Sequence, residues 1–214
     1  MNPVIFDLDG VLVDSCALYA EVIGEVLGRA GHAVTQREII EARVPHVPGW
    51  VEGLVPAGAP VPQLTAEVRA GVAARSGELA IRPSAPAVLS RLSERRRLFL
   101  LTNSTARFAM GVLDRHGLAP RFQRIITSDD GFVSKAAAIA HVLEACGGAP
   151  GDAAYVGDTL RDIASARQAG CRVVILYTDW SWDHGRRGEI EEARPDAVAS
   201  SLEQAAVILE GGWA

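Results

Sequence analysis

Short, mainly apolar runs are the feature that most constrains how this chain can fold. They are bounded by turn-forming residues and lie at 3–6, 98–102, 124–127, 153–156 and 172–177. The stretches 98–101 and 173–176 are apolar at every position, whereas a half-buried strand would alternate with polar residues. Continuous apolar runs are typical of strands that are covered on both faces of a parallel sheet.

Segments with helical periodicity separate most of these runs. They lie at 104–116, 135–146 and 160–169. A glycine follows each segment, as is common where a helix ends. A strand near 197–199 and a helix over 202–210 are expected to complete the chain. Alternation of strands and helices predicts an α/β fold with a doubly wound, Rossmann-like parallel sheet.

The interval between the first and second strands breaks this alternation. It spans about 80 residues and contains helical patterns around a middle that is rich in proline and glycine. We predict a small α-helical cap domain at 16–82, inserted after the first strand into a Rossmann-like core formed by 1–15 and 83–214. Helices are expected at 21–30 and 65–76, and 44–62 is expected to be mostly loop.

Charge and composition exclude several classes of partner. The formal net charge is −5, and no basic run is longer than the three arginines at 95–97, so we expect neither nucleic acid nor an anionic membrane as a partner. No signal-peptide pattern and no membrane-length apolar stretch is present, which favours the cytoplasm. Cys16, Cys146 and Cys171 are too few and too scattered for a disulfide framework or a zinc site. Small solutes are the expected partners, with the chain acting as a monomer or homodimer.

Polar residues follow several of the predicted strands or begin a helix. These residues are Asp7, Asp9, Thr102, Asn103, Lys135, Asp158 and Asp162. Ligands bind at the carboxyl edge of open α/β sheets, so the side chains are expected to meet there. Several carboxylates at one place repel one another unless a cation joins them, and Mg²⁺ prefers such oxygen ligands together with substrate phosphate. Lys135 is the only lysine in the chain, which singles it out for a role that arginine does not fill.

These motifs, in this order, resemble the haloacid dehalogenase superfamily. The first is DLDGVLVDS at 7–15, and the others are Thr102-Asn103, Lys135 and Gly157-Asp158 with Asp162. Within the superfamily the chain is similar to the phosphoglycolate phosphatase and β-phosphoglucomutase-like branch, which carries an inserted helical cap. The resemblance covers nearly the whole chain and implies a magnesium-dependent phosphatase that acts on a small phosphorylated metabolite.

The resemblance also implies roles for individual residues. Asp7 would be the nucleophile that forms an aspartyl-phosphate, and Asp9 would be the general acid and then the general base. Lys135, Thr102 and Asn103 would bind the phosphate, helped by backbone amides at the start of the helix 104–116. The metal ligands would be Asp7, Asp158 and Asp9 through its carbonyl. Asp162 would support the site from behind, although it could also be only a helix cap or a partner of Arg161.

Other functions of the superfamily fit the sequence less well. A dehalogenase lacks the second aspartate of the first motif, and a phosphonate hydrolase needs a cap lysine, which this chain does not have. A β-phosphoglucomutase-like mutase is the second interpretation, although that branch usually has Glu-Asp where this chain has Gly157-Asp158. A catalytically idle, phosphate-sensing module is a third, against which the intact aspartates and Lys135 argue.

The segment 43–50 falls where caps of this type present a specificity loop. Arg43, His46 and Trp50 are therefore possible substrate contacts, and the alternative is a proline-framed connector whose Trp50 packs inside the cap. Asp14 and Ser15 are expected to shape the turn into the cap. Trp180 and Trp182 are expected to serve packing or an interface.

Overall fold

The computed structural model describes residues 2–44, 46–147 and 150–211. Its central sheet has six parallel strands in the order β3-β2-β1-β4-β5-β6. The strands are β1 (Pro3–Phe6), β2 (Arg97–Leu101), β3 (Arg124–Ile126), β4 (Ala154–Gly157), β5 (Arg172–Leu176) and β6 (Ala197–Ala199). The predicted doubly wound α/β sheet is confirmed, and each strand lies within about one residue of its predicted position.

The described part of the chain forms ten α-helices. They are α1 (Cys16–Arg29), α2 (Gln36–Glu41), α3 (Val47–Glu52), α4 (Val61–Ala74), α5 (Ala85–Ser93), α6 (Ala106–Arg115), α7 (Lys135–Cys146), α8 (Leu160–Gln168), α9 (Arg187–Glu192) and α10 (Leu202–Glu210). Short 3₁₀ turns lie at Ser76–Glu78, Ala119–Arg121, Ser128–Asp130 and Pro150–Asp152. Helix α6 begins two residues later than predicted because Thr105 caps it, accepting a hydrogen bond from Phe108 N–H.

Two apolar layers cover the sheet. Side chains alternate along each strand, so Val4 and Phe6 face one layer while Ile5 faces the other. The first layer includes residues of α5, α6, α10 and the helices of 16–74, and the second includes residues of α7 and α8. Burial on both faces explains why the stretches 98–101 and 173–176 are apolar at every position. None of the described helices combines the length and hydropathy that crossing a membrane requires.

Helices α1 to α4 lie between β1 and β2, where the helical insert is predicted. Helix α1 begins five residues before its predicted start, and α3 falls inside the segment expected to be mostly loop. The proline in α3 is tolerated because Pro48 lies in the first turn, where a backbone N–H has no helical partner. His46 caps this helix, since its Nδ1 accepts a hydrogen bond from Gly49 N–H. The division into two domains stays a prediction.

The two connections of this insert run side by side. Val13, on the way in, forms an antiparallel bridge with Ile81, on the way out. Arg82 then donates from its backbone N–H to Leu12 O at 2.9 Å and from its side chain to the carbonyls of Val11 and Gly10 at 2.6 and 3.0 Å. The return from the insert is thereby tied to the loop that follows β1.

Helices α1 and α4 approach closely at Gly71. A Cβ added to Gly71 would lie 2.7 Å from Val22 Cγ1, and Val22 cannot turn away easily because its side chain is β-branched. We expect Gly71→Ala to destabilise the protein by about 1–3 kcal/mol, although alanine is the better helix former. The exposed Gly28 in α1 has no neighbour within 4 Å of an added Cβ, so Gly28→Ala should instead stabilise by about 0.5–1 kcal/mol. Urea unfolding of both variants measures these signs, and equal stabilisation by both would contradict the close packing.

Candidate active site

The site lies at the carboxyl edge of the sheet, where β1, β2 and β4 end next to one another. Asp7 directly follows β1, and Asp158 directly follows β4. Lys135 is the first residue of α7, which Ser134 caps by accepting a hydrogen bond from Ala137 N–H. Asp162 lies in the first turn of α8 and forms a capping box with Thr159. The residues of the predicted motifs therefore lie together, because each follows the end of a strand or lies in the first turn of a helix.

The ammonium of Lys135 joins two of these carboxylates. Its Nζ lies 2.6 Å from Asp7 Oδ2 and 2.7 Å from Asp162 Oδ1, and its side chain is only 10% exposed. Burial lowers the pKa of Lys135, but Asp162 and Asp7 outweigh it, so the pKa is raised well above its usual value. Lys135 is consequently protonated over the physiological range.

Three buried carboxylates lie close together here, and two of them contact this ammonium. Oxygens of Asp7, Asp158 and Asp162 lie within 4.8 Å of one another. Burial raises the pKa of Asp7 to about 7, with Lys135 opposing the rise, and burial together with Asp162 and Asp7 raises the pKa of Asp158. The pKa of Asp162 is lowered, because Lys135 and the hydrogen bonds from Thr159 and Asp158 outweigh its burial.

The donor set fits a divalent cation. When all are ionised, three carboxylates and one ammonium leave two negative charges uncompensated in a buried place. Asp162 is already engaged, since its Oδ1 binds Lys135 and its Oδ2 accepts from Thr159 and from Asp158 N–H. Asp158 Oδ2 accepts from Trp182 N–H at 2.6 Å, whereas its Oδ1 has no hydrogen bond to a described residue. Asp7 accepts two hydrogen bonds, from Leu8 N–H to Oδ1 at 2.8 Å and from Lys135 to Oδ2, whereas Asp162 accepts four. Asp7 and Asp158 therefore keep more capacity to bind a cation than Asp162 does.

Two glycines allow these carboxylates to pack against the backbone. A Cβ on Gly10, which has φ of +72°, would lie 2.1 Å from Asp158 Oδ2. A Cβ on Gly157 would lie 2.5 Å from the Cβ of Asp162. Both glycines are thus required sterically, and Gly10 is required for its left-handed backbone as well.

Three hydroxyls hold the side chain of Asp9. Ser15 Oγ donates to Asp9 Oδ1 at 2.6 Å, while Thr102 Oγ1 and Ser104 Oγ donate to Oδ2 at 3.0 and 2.7 Å. Ser104 Oγ also shares a hydrogen bond of 3.1 Å with Tyr19 Oη. Ser15 contacts this carboxylate as well as leading into α1, and Thr102 contacts it from the position where phosphate binding was predicted.

A cavity of about 430 Å³ opens next to these groups. It is lined by residues of the sheet edge and of the insert, among them Asp7, Asp9, Asn103, Lys135, Asp158, Asp162, Tyr19, His46, Arg69, Arg161 and Trp182. The exposed Asn103 lines this cavity, whereas the buried Thr102 is not among its lining residues.

The three predicted cap contacts have different positions. His46 lines the cavity. Trp50 is fully buried, donates from Nε1 to Ile39 O, and packs edge-on against Trp182, so it occupies the packing position that the sequence left as the alternative. Arg43 binds Cys16 Sγ and the carbonyl of His184 and is not among the residues lining the cavity.

Sequence reasoning missed several residues of the site. Tyr19, Ser104, Arg69 and Arg161 reach the cavity. Asp183, which is 2% exposed, accepts a hydrogen bond from Leu160 N–H and so holds the start of α8. The available signal for Ser104 was its position two residues after Thr102. For the residues from the insert, no motif marks which helical face meets the sheet.

The buried carboxylates predict how metal-free protein responds to pH. The pKa of Asp7, about 7 when folded, exceeds its usual 3.8, so its contribution to stability is complete below pH 3.8 and is lost as the pH rises through 7. Asp158 shifts in the same direction. In EDTA, the melting temperature should fall from about pH 5 to about pH 7 by more than roughly 2–4 °C, the shift given by 1 kcal/mol in a domain of this size.

Two controls isolate the carboxylates in this measurement. Saturating Mg²⁺ should remove most of the fall, because a cation favours the ionised forms. Asp7→Asn should make the fall smaller, because the variant has no proton to lose at this position and, of the carboxylates in this cluster, only Asp158 still titrates with a raised pKa. A wild-type melting temperature that rises over this range in EDTA, in parallel with that of Asp7→Asn, would refute the assignment.

Several known proteins are similar to this chain in sequence or in fold. The chain is 30% identical to a phosphoglycolate phosphatase of Pseudomonas savastanoi pv. phaseolicola, over 93% of this chain and 76% of the relative. It is 27% identical to a phosphoglycolate phosphatase of Thiobacillus denitrificans, over 98% and 96% respectively. A solved haloacid dehalogenase-like hydrolase of Streptococcus pneumoniae superposes with a TM-score of 0.84 at 20% identity, covering 96% of both chains. The sequence model of the haloacid dehalogenase-like hydrolases matches residues 1–170, and the chain therefore belongs to this family of hydrolases.

Proposed function

We propose that the chain is a magnesium-dependent phosphatase that hydrolyses a small phosphate monoester through an aspartyl-phosphate on Asp7. The observation that carries this proposal is the contact of 2.6 Å between Lys135 Nζ and Asp7 Oδ2 in the wall of the cavity. Relatives named phosphoglycolate phosphatase make 2-phosphoglycolate the first substrate to test. The expected cytoplasmic location and the choice between monomer and homodimer stay predictions.

Asp7 is proposed as the nucleophile. A carboxylate attacks phosphorus only in its ionised form, and the neighbouring ammonium opposes the rise in pKa that burial imposes on Asp7. Asp7, Asp158 and the carbonyl of Asp9 would hold Mg²⁺, which when bound supplies positive charge to the phosphate oxygens. Asn103 and Lys135 would bind the transferred phosphoryl group, and Thr102 would assist by fixing the loop after β2.

Asp9 is proposed as the general acid and base. In the first step an Asp7 oxygen bonds to phosphorus, the bond to the leaving oxygen breaks, and Asp9 donates its proton to that oxygen. In the second step Asp9 takes a proton from water, the water oxygen bonds to phosphorus, and the bond from phosphorus to Asp7 breaks. The products are the alcohol and inorganic phosphate. The hydroxyls of Ser15, Thr102 and Ser104 keep the Asp9 side chain in place through both steps.

The first test of the proposal is phosphate release from 2-phosphoglycolate with and without Mg²⁺. Asp7→Asn should abolish turnover, because the amide has nearly the same shape but is a poor nucleophile. Lys135→Arg should lower turnover by about 10²- to 10³-fold, since a planar guanidinium does not fit where a compact ammonium contacts two carboxylates. Asp14→Asn is the control, because Asp14 lies in the same loop but outside the cavity lining. Near-normal turnover of Asp7→Asn would exclude the covalent route.

Asp9→Asn should separate the two steps. The variant should lose about 10²- to 10⁴-fold in turnover, and it should accumulate phosphoenzyme that wild type does not, because the base for the second step is missing. Intact mass spectrometry after acid quench measures the phosphoenzyme. A mutase would instead move the phosphoryl group within a sugar phosphate without net phosphate release, and an idle binding module would show neither product.

A further inference from the structure

We propose that Arg69 and Arg161 form a binding site for a second anionic group, at the end of the substrate remote from the reacting phosphate. The group is a carboxylate or a second phosphate. The inference rests on the proposed phosphatase function and adds the substrate class and the residues that select it.

The two arginines reach the same cavity from different parts of the fold. Arg69 lies in α4 of the insert and is half-buried, while Arg161 is the second residue of α8 and is exposed. Both line the cavity that Asp7 and Lys135 also line. Tyr19 and His46 are wall residues of the same cavity that come from the insert. The charge of Arg69 opposes the rise that burial causes in the pKa of Tyr19, and the charge of Arg161 adds to the lowering that burial causes in the pKa of His46.

Neither guanidinium has a carboxylate partner in the described part of the chain. Elsewhere, Arg37, Arg75, Arg91, Arg186 and Arg187 all form ion pairs with glutamate or aspartate. Lys135 is not available for a second anion either, because it contacts Asp7 and Asp162 and is proposed to bind the reacting phosphate. The cavity is thus lined by two guanidiniums that form no ion pair with a described residue, and guanidinium is the group best suited to bidentate binding of carboxylate or phosphate.

His46 completes this part of the wall with a neutral donor. Burial and the charge of Arg161 lower the pKa of His46, so it is neutral near pH 7. Its Nδ1 accepts from Gly49 N–H, which places the ring proton on Nε2. A second anion could therefore bind to the two guanidiniums and to the neutral Nε2–H of His46. Its binding would join the insert to the edge of the sheet.

Three substrates of similar size test the selection. They are 2-phosphoglycolate, 2-hydroxyethyl phosphate, which has a neutral hydroxyl in place of the carboxylate, and ethane-1,2-diol bisphosphate. Wild type should prefer an anionic substrate over the neutral one, and the preferred member of the anionic pair tells whether the site takes carboxylate or phosphate. Equal or better kcat/KM for 2-hydroxyethyl phosphate would overturn the proposal.

Variants assign the selection to the two arginines. Arg69→Gln and Arg161→Gln should each lower kcat/KM for the preferred anionic substrate by about 10- to 100-fold, the loss expected when a charged hydrogen bond is removed. The value for 2-hydroxyethyl phosphate should change less than about threefold, within the spread of an uncoupled surface substitution. Arg95→Gln is the matched control, because the exposed Arg95 precedes β2 at the opposite edge of the sheet. An equal loss on all substrates, or no loss, would refute the assignment.

A binding measurement keeps the inference independent of turnover. With Mg²⁺ present, calorimetry should show 2-phosphoglycolate or the bisphosphate binding at least about 10-fold more weakly to Arg69→Gln/Asp7→Asn than to Asp7→Asn alone. If the two variants bound 2-phosphoglycolate with equal affinity, and also bound the bisphosphate with equal affinity, the site would be excluded even if wild type hydrolyses these substrates. If the anions bind more weakly to the double variant but wild type releases no phosphate, the anion site is supported and the proposed phosphatase function is rejected.

Discussion

The buried ammonium of Lys135 is the contact on which the rest of the site depends. It joins the loop after β1 to the first turn of α8, and it begins α7 itself. Removing one member of a buried ion pair leaves an uncompensated charge that costs about 3–5 kcal/mol. The carboxylates and the ammonium therefore hold one another in place, and the packing of α7 and α8 on the same face of the sheet fixes the distance between them.

The insert contacts the carboxylates of the site through two routes. Tyr19 Oη shares a hydrogen bond with Ser104, which donates to Asp9. Trp182 donates from its backbone to Asp158 while its ring packs edge-on against Tyr19 and Trp50 of the insert. The position of the insert is thus linked to the proposed acid and base by one route and to a proposed metal ligand by the other. Both routes use residues that carry no part of the family motifs.

The local sequence pattern was sufficient to predict the sheet and the residues that lie around Lys135. Apolar runs predicted the strands because both sheet faces are covered, and the motif positions followed because ligands gather at one sheet edge. The contacts of Tyr19 with Ser104 and of Asp9 with Ser104 join residues 85 and 95 positions apart, and no periodicity specifies such pairs. Helix α3 was missed because proline was taken as a loop signal, although the first turn of a helix accepts it. The boundaries of the cap domain stay a prediction.

The central position of β1 has a consequence for how the chain folds during synthesis. β1 precedes the other strands in the sequence, yet it pairs with β2 on one side and with β4 on the other. Its hydrogen bonds to β4 can form only after residues 154–157 have been synthesised. Lys135 follows Asp7 by 128 positions, and Asp162 lies further still. Because such long-range pairing forms late and exposes unpaired strand edges meanwhile, a chain still on the ribosome carries the first motif with no site around it. Asp7 is therefore synthesised well before Lys135 and Asp162, the residues that complete its surroundings.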